Sequence, residues 1–325
     1  MSTGKLFNDG ALIYVKVCGW SGSIMLTNED MGLEASEVVD AFKLGHKMLM
    51  PDEIITEFRR IENQARRMAD FPNGLKFPIG TSRFVPKGNI PRVIDGLQDC
   101  KTKYLALAES LATNLDALRE SMIPIYTEAA EKAYLQQKPV GVETFGIEDE
   151  EAKKAEFIRL YLDKVKACYP SPEAIKAKFN IEWTIYEMGE STSEFATEEW
   201  KTQTRNQIQE FVDDVVAQLR GETVTLCTHV ADAIKSGKVI RATTINTLRE
   251  FIDKFKGLNF VGDARIEEEL NAFKRDVLDP HTAEQLSSPD MQAEMGRRLA
   301  IITQAASDVT DISAVTGQYK RKIAW

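Results

Sequence analysis

The sequence predicts a mainly α-helical fold, with a long antiparallel, coiled-coil-like helical arm, a small β hairpin or sheet, and a C-terminal helical bundle. The first observation is an apolar seam of alternating four- and three-residue steps, broken only at Lys101. It comprises Ile90, Ile94, Leu97, Lys101, Tyr104, Ala108, Leu111, Leu115, Leu118, Met122 and Ile125. A repeat of about 3.5 residues kept for about five heptads is typical of a long helix packed lengthwise on other helices. The second observation is that 43% of the 325 residues are hydrophobic, enough for a sizeable core.

The N-terminal region, residues 1–88, is predicted to hold a β hairpin, two helices and an ordered loop. A β-branched run is broken by the glycines of residues 19–22, which favours a strand, a turn and a second short strand. Residues 35–48 and 52–69 are predicted as helices, the second begun by a proline and two acids. The stretch 75–88 is rich in Pro and Gly and is predicted to be an ordered loop or short strand.

The long helical arm is predicted for residues 89–220. Its first helix begins at Asn89 and ends near residue 137, with a kink at Pro124 because proline removes one backbone hydrogen bond. Prolines, glycines and acids near residues 138–151 indicate the tip of the arm. Beyond the tip we expect further helices and a strand from Ile181 to Glu187 that completes the small sheet. A second long helix, from about Thr197 to Leu219, is expected to return along the first.

Residues 221–315 are predicted to form the C-terminal helical part, because shorter helical patterns follow one another there. They cover residues 224–235, 244–256, 264–278 and 290–306. The last ten residues, 316–325, form a basic and aromatic tail.

Charge and cysteine usage argue against several classes of function. The chain has 41 basic and 50 acidic residues, a formal charge of −9, which disfavours a broad nucleic-acid-binding surface. The four cysteines form no CxxC pair, so neither a zinc site nor a disulfide framework is predicted. The N-terminal residues 1–10 are polar, and no apolar run approaches the roughly 18 residues of a membrane span. We therefore expect a cytoplasmic protein without membrane contact.

No catalytic, cofactor-binding or metal-binding residue is predicted. The turn Gly19-Trp20-Ser21-Gly22 is one residue too short for the G-x-S-x-G nucleophile elbow, and a tight hairpin with Trp20 packed on helices is the simpler interpretation. The loop 75–82 has no lysine before its Thr-Ser pair, where a phosphate-binding loop needs one. The three histidines lie on different predicted elements, so convergent metal ligands are not indicated.

Two contact surfaces are predicted instead. Apolar surface that the chain does not cover must be covered by another subunit, which favours the seam residues Leu111, Leu115, Leu118 and Met122. The second surface is the tail, with Tyr319, Lys320, Arg321, Lys322 and Trp325. A protein partner is favoured over nucleic acid for the tail, because the rest of the chain is acidic and repels phosphate.

Three segments taken together resemble the domain-of-unknown-function family 3150. They are the Trp20-Ser-Gly22 turn with Leu26 and Glu29-Asp30, the stretch from Phe77 to Pro86 ahead of the long helix, and residues 244–263. The similarity covers about residues 10–280 and supplies no catalytic residue. It implies a bacteriophage or prophage setting, in which such genes neighbour MoxR-type AAA+ ATPases and proteins with von Willebrand A domains.

On this basis we expect a non-enzymatic phage or prophage adaptor or assembly protein. It would form a homo-oligomer, work with the AAA+ ATPase and von Willebrand A-domain system, and need no cofactor. Its expected location is the cytoplasm of a bacterial host cell, with the virion as a second location. Two alternatives stay open: a virion or phage-assembly structural protein, and an inhibitor of a host defence protein that uses the acidic cluster at residues 148–151.

Overall fold

The computed structural model describes residues 9–27, 45–78, 80–136, 147–187, 197–238 and 240–323. This part of the chain is mainly helical with a small antiparallel sheet, which confirms the predicted fold class at that level. Most of the predicted helix over residues 35–48 and of the predicted arm tip lies outside the described residues. The described end of that helix is a strand, His46–Met48, so the helix prediction is wrong there. Among the described helices, none combines the length and apolarity that crossing a bilayer requires.

The chain divides into two compact units, each assembled from separated stretches. The terminal unit comprises Met1–Val15, Arg67–Asp95 and Trp183–Trp325, and the middle unit comprises Lys16–Arg66 and Gly96–Glu182. The regions predicted from the sequence are instead consecutive along the chain. This difference arises because compactness depends on which elements pack together, and elements that are distant in sequence pack as readily as neighbours.

Short strands form a four-stranded sheet and a separate two-stranded sheet. They are β1 (Gly10–Cys18), β2 (Ser23–Met25), β3 (His46–Met48), β4 (Leu75–Lys76), β5 (Arg83–Pro86) and β6 (Asn180–Tyr186). The larger sheet has the order β4-β5-β1-β6, so the strand predicted near residue 181 does join β1. The second predicted strand, β2, pairs with β3 in a separate two-stranded sheet and does not form a hairpin with β1.

The helices account for most of the described chain. They are α1 (Asp52–Arg67), α2 (Ile90–Thr113), α3 (Leu115–Gln136), α4 (Ile147–Ala167), α5 (Pro172–Lys178), α6 (Glu198–Lys235), α7 (Ala242–Leu258), α8 (Ala264–Phe273), α9 (Ala283–Leu286), α10 (Pro289–Ala306) and α11 (Val309–Ile323). A π-helical turn, Lys274–Leu278, continues α8. The separate helices predicted before and after Gly221 are one helix of 38 residues, α6. An interior glycine costs a helix only about 1 kcal/mol, and burial along Leu219, Thr223 and Cys227 continues past it.

The buried face of α2 and α3 follows a different period from the predicted seam. In the middle unit its main line is Leu97, Cys100, Tyr104, Ala108, Leu111, Leu115, Leu118, Met122, Tyr126, Ala130 and Ala133. These steps average about 3.6 residues, the period of the α-helix and not the 3.5 of a heptad coiled coil. The single helix predicted from Asn89 to about residue 137 is two helices that meet at Asn114, and Pro124 lies inside the second. The two periods separate after Met122: Tyr126 is 6% exposed, whereas Ile125, the last predicted seam residue, is 58% exposed.

Apolar packing and one ion-pair network organise the terminal unit. Phe211 of α6 lies 5.0 Å from Phe77 and 5.5 Å from Phe84, measured between ring centroids. Along the same helix, Arg220 is 1% exposed, and its guanidinium contacts Asp263 at 2.6 Å and Asp311 at 2.5 Å. The carbonyl oxygen of Ala305 is a third partner and accepts a hydrogen bond from Arg220 at 3.1 Å.

The network connects the start of α8 to the middle of α6. Asp263 is the N-cap residue of α8, where its side chain accepts a hydrogen bond from the amide of Ile266. Burial alone lowers the pKa of Arg220, but hydrogen bonds to Asp263 and Asp311 outweigh it and raise that pKa. The guanidinium therefore stays charged in the core and fixes α8 and α11 against α6.

Candidate functional site

An open pocket of about 530 Å³ lies in the middle unit. Its floor consists of the buried side chains Trp20, Met50, Ile55 and Phe58. Its rim and walls are formed by Val17, Gly19, Ser21, Ser23, His46, Met48, Arg59, Glu62 and Arg66. A concave apolar floor with a few polar groups above it is the usual form of a binding site.

Helix α1 supplies the charged side of the pocket. Its buried residues pack inward, and Phe58 stacks on Phe179 with a centroid distance of 4.4 Å. Arg59, Glu62 and Arg66 follow at steps of three and four residues, so they occupy one face of the helix. This spacing is what brings two guanidinium groups and one carboxylate to the same rim.

Close packing between Gly19 and Tyr104 shapes the wall of the pocket beside Glu62. The hydroxyl of Tyr104 donates to Glu62 Oε1 at 2.6 Å. A Cβ atom on Gly19 would lie 2.4 Å from that hydroxyl oxygen, so any larger residue would displace the tyrosine. Burial, together with the hydrogen bond and charge of Glu62, raises the pKa of Tyr104 far above its usual value. The hydroxyl therefore remains a proton donor that holds Glu62 in place.

Gly22 is required in the same turn for a second reason. Its φ of +62° is in the left-handed region, and a Cβ atom there would lie 2.1 Å from Met50 Cε. The two glycines that weakly suggested a nucleophile elbow thus let the turn lie against Tyr104 and Met50. The intervening Trp20 is 8% exposed and contacts Tyr169 edge-on at 6.5 Å, as expected for a packed tryptophan.

The charge of the pocket is opposite to that of the chain as a whole. Arg59 and Arg66 are exposed at the rim beside a single carboxylate, Glu62, whereas the chain carries a formal charge of −9. Arg66 also donates to the carbonyl of Val17 at 3.4 Å, which directs its guanidinium along the pocket edge. Arginines beside an apolar floor suit a ligand that carries carboxylates next to an apolar group.

Comparison with known proteins identifies the family. Residues 8–279 match the family described as Protein of unknown function (DUF3150). The chain belongs to this family. No curated protein and no solved structure matches the chain. All residues that line the pocket of this DUF3150 protein lie within the matched range.

The residues predicted as contact surfaces of the DUF3150 protein lie elsewhere. Leu111, Leu115, Leu118 and Met122 are 6%, 1%, 7% and 5% exposed, because other side chains of the same chain already cover them. A partner would reach them only if that packing opened. The backbone of Tyr319, Lys320, Arg321 and Lys322 lies in α11, but their side chains and all of Trp325 are outside the described part.

Ser21, Cys227 and His281 belong to residue types that often carry catalysis, and each has a local structural explanation. The hydroxyl of Ser21 donates to the carbonyl of Ser23 at 3.1 Å. Cys227 is 1% exposed, and burial raises the pKa of its thiol to about 12. His281 Nδ1 lies 2.9 Å from the carbonyl oxygen of Val277. Within the described ranges, no group of three or more His, Cys, Asp or Glu side chains is placed to hold a metal ion.

The packing of Gly19 on Tyr104 gives a testable coupling. We expect Gly19→Ala to cost about 1–3 kcal/mol by overpacking and Tyr104→Phe to cost about 1–2 kcal/mol by loss of the bond to Glu62. In the double variant the clashing hydroxyl is absent. The loss in free energy of unfolding of the double variant should therefore be smaller than the sum of the two single losses by about 1 kcal/mol. Urea unfolding of the four proteins measures these free energies.

Gly88→Ala is the matched control, because a Cβ atom there meets nothing within 4 Å. It should change the free energy of unfolding by less than about 0.5 kcal/mol. Strict additivity of the Gly19 and Tyr104 costs would contradict the contact on which the pocket wall depends.

Proposed function

We propose that this chain is a non-enzymatic assembly or adaptor protein whose activity is to bind other protein chains. The observation that carries the proposal is the pocket, where Arg59 and Arg66 flank a floor that includes Trp20. Tryptophan and arginine are the side chains most enriched at the energetic centres of protein interfaces. A short acidic segment with an apolar anchor would bury its anchor on the floor and pair its carboxylates with the rim.

The proposed setting is a phage or prophage system in the cytoplasm of a bacterial host cell. There the chain would associate with itself and with an AAA+ ATPase and von Willebrand A-domain system, as the family resemblance implies. Absence of ATPase motifs from the sequence supports the role of adaptor or target in such a system. The basic tail stays a predicted second contact, whereas the seam residues are covered by their own chain.

Charge reversal of the pocket tests the proposal. Arg59→Glu/Arg66→Glu should weaken self-association, or capture of the neighbouring ATPase and von Willebrand A-domain proteins, by at least about tenfold. The matched control is Arg60→Glu/Arg67→Glu, which makes the same change in charge on the same helix at exposed residues that do not line the pocket. Analytical ultracentrifugation over a range of concentrations, with a pull-down of purified partners, gives both readouts.

Three outcomes are decisive for this experiment. Loss of binding in the pocket variant, with binding retained in the control, supports the proposal. Equal loss in both variants would assign the effect to overall charge and not to the pocket. A wild-type chain that is monomeric at high micromolar concentration and captures neither partner overturns the proposal.

A further inference from the structure

One exposed aromatic residue in the terminal unit has the chemistry that the pocket would accept. Trp200 is 59% exposed in the first turn of α6, directly after Glu198 and Glu199. The side chain of Thr197 caps this helix and accepts a hydrogen bond from the Trp200 amide at 3.3 Å. The cap fixes the backbone of this turn, which lowers the entropy cost of docking the side chains that it carries.

We propose that this anchor segment, residues 197–200, of one copy docks in the arginine-rimmed pocket of a second copy. The inference rests on the proposed function and names its self-association surfaces. The indole of Trp200 would lie on the apolar floor beside Trp20 and Phe58. Glu198 and Glu199 would face the guanidinium groups of Arg59 and Arg66.

Size supports this pairing. A tryptophan side chain contributes about 150–250 Å² of burial, and a pocket of about 530 Å³ is within the range that holds a ligand of that size. Aromatic pairs are favoured edge-to-face or offset, as the contact between Trp20 and Tyr169 illustrates. One inserted indole would therefore cover apolar surface on both partners.

The charges of the anchor segment and of the pocket rim are also complementary. The anchor segment carries two carboxylates, and the pocket rim carries two guanidinium groups with one carboxylate. Glu198 already contacts Lys201 at 2.8 Å, but its side chain is 79% exposed, and exposed pairs of this kind contribute little. Exchanging that contact for a bidentate arginine pair gives a stronger and more directional bond.

The geometry of such a contact sets the form of the assembly. Anchor and pocket are different surfaces of one chain, so two copies that exchange anchors reciprocally form a closed two-fold dimer. The same contact repeated in one direction instead produces a ring or an open chain.

Two variants with complementary defects test the inference. Trp200→Ala removes the anchor and keeps the pocket, and Arg59→Glu/Arg66→Glu removes the pocket and keeps the anchor. Each variant alone should show association weakened by about thirtyfold or more, as for loss of an interface hot spot. Mixed together, they should form a one-to-one dimer and nothing larger, because only one functional anchor and one functional pocket meet.

A second exposed apolar residue, Ile301, provides the control for Trp200→Ala. Ile301→Ala truncates another exposed apolar residue, 51% exposed on α10, and should assemble like the wild type. If both test variants assemble like the wild type, the inference fails while self-association stands. A mixture that stays monomeric although the wild type assembles also overturns it. If the wild type is monomeric but still captures the ATPase system, the docking of one copy on another is contradicted. The proposed adaptor function is then still supported.

Discussion

Replacing Arg220 with methionine is expected to lower the free energy of unfolding by about 3–5 kcal/mol. Arg220 is 1% exposed, and its guanidinium bonds to two carboxylates and one carbonyl, so its removal leaves Asp263 and Asp311 without their buried partner. Breaking one side of a buried ion pair costs far more than the pair contributes in total, because an uncompensated charge remains. Urea unfolding measures the loss, and amide hydrogen exchange should localise it to α6, α8 and α11.

Two further variants distinguish the effect of an unpaired buried charge from the general effect of removing an arginine. Arg265 also reaches Asp311, at 3.8 Å, but its side chain is 51% exposed, so Arg265→Met should cost less than about 1 kcal/mol. The triple variant Arg220→Met/Asp263→Asn/Asp311→Asn should recover part of the lost stability, since no buried charge is left unpaired and asparagine still caps a helix. Equal costs for Arg220→Met and Arg265→Met would contradict this account.

The Arg220 network illustrates what sequence patterns omit. A single arginine in a helical pattern is read as solvated, because charged residues are rarely buried without partners. Its partners here are 43 and 91 residues away, one at the start of α8 and one in α11. No local spacing encodes such a meeting, which depends on how three helices pack.

Local signals did identify many elements of the fold. Pro51 with Asp52 and Glu53 predicted the start of α1, and the helix begins at Asp52. Thr197 was predicted as the start of a long helix, and it caps α6. These signals act within one helical turn, so they need no knowledge of the tertiary structure. Predicting which strands pair does require the tertiary structure. This explains why β2, which was expected to pair with β1, pairs with β3.

The pocket was missed for a related reason. Its wall comes from the turn at residues 19–22, and its rim from Arg59 and Arg66 about forty residues later. The sequence contained one usable signal, the pair of glycines around Trp20, because glycine often marks a close approach of backbone to a side chain. That signal indicates tight packing but gives no information about which charged residues lie opposite.

The period of the buried face in α2 and α3 leads to the second large effect. Leu115 and Ile125 both belong to the predicted heptad seam, yet Leu115 is 1% exposed and Ile125 is 58% exposed. Leu115→Ala should therefore cost about 2–5 kcal/mol, since it removes buried methyl groups and leaves a cavity. Ile125→Ala should change stability by less than about 0.5 kcal/mol, as an exposed substitution does. Urea unfolding of the two variants beside the wild type measures both effects.

This matched pair decides which period governs the middle of the chain. A seam repeating every 3.5 residues and gripped by another subunit would make both residues costly, and each substitution would also weaken self-association. Two helices of ordinary α-helical period, packed within their own chain, make only Leu115 costly and leave the oligomer mass unchanged at a given folded concentration. Sedimentation of the folded variants separates these cases, because loss of stability and loss of assembly are then measured on the same molecules. If Ile125→Ala caused dissociation without a change in the free energy of unfolding, the exposed surface of α3 would be the self-association interface. The pocket would then not be that interface.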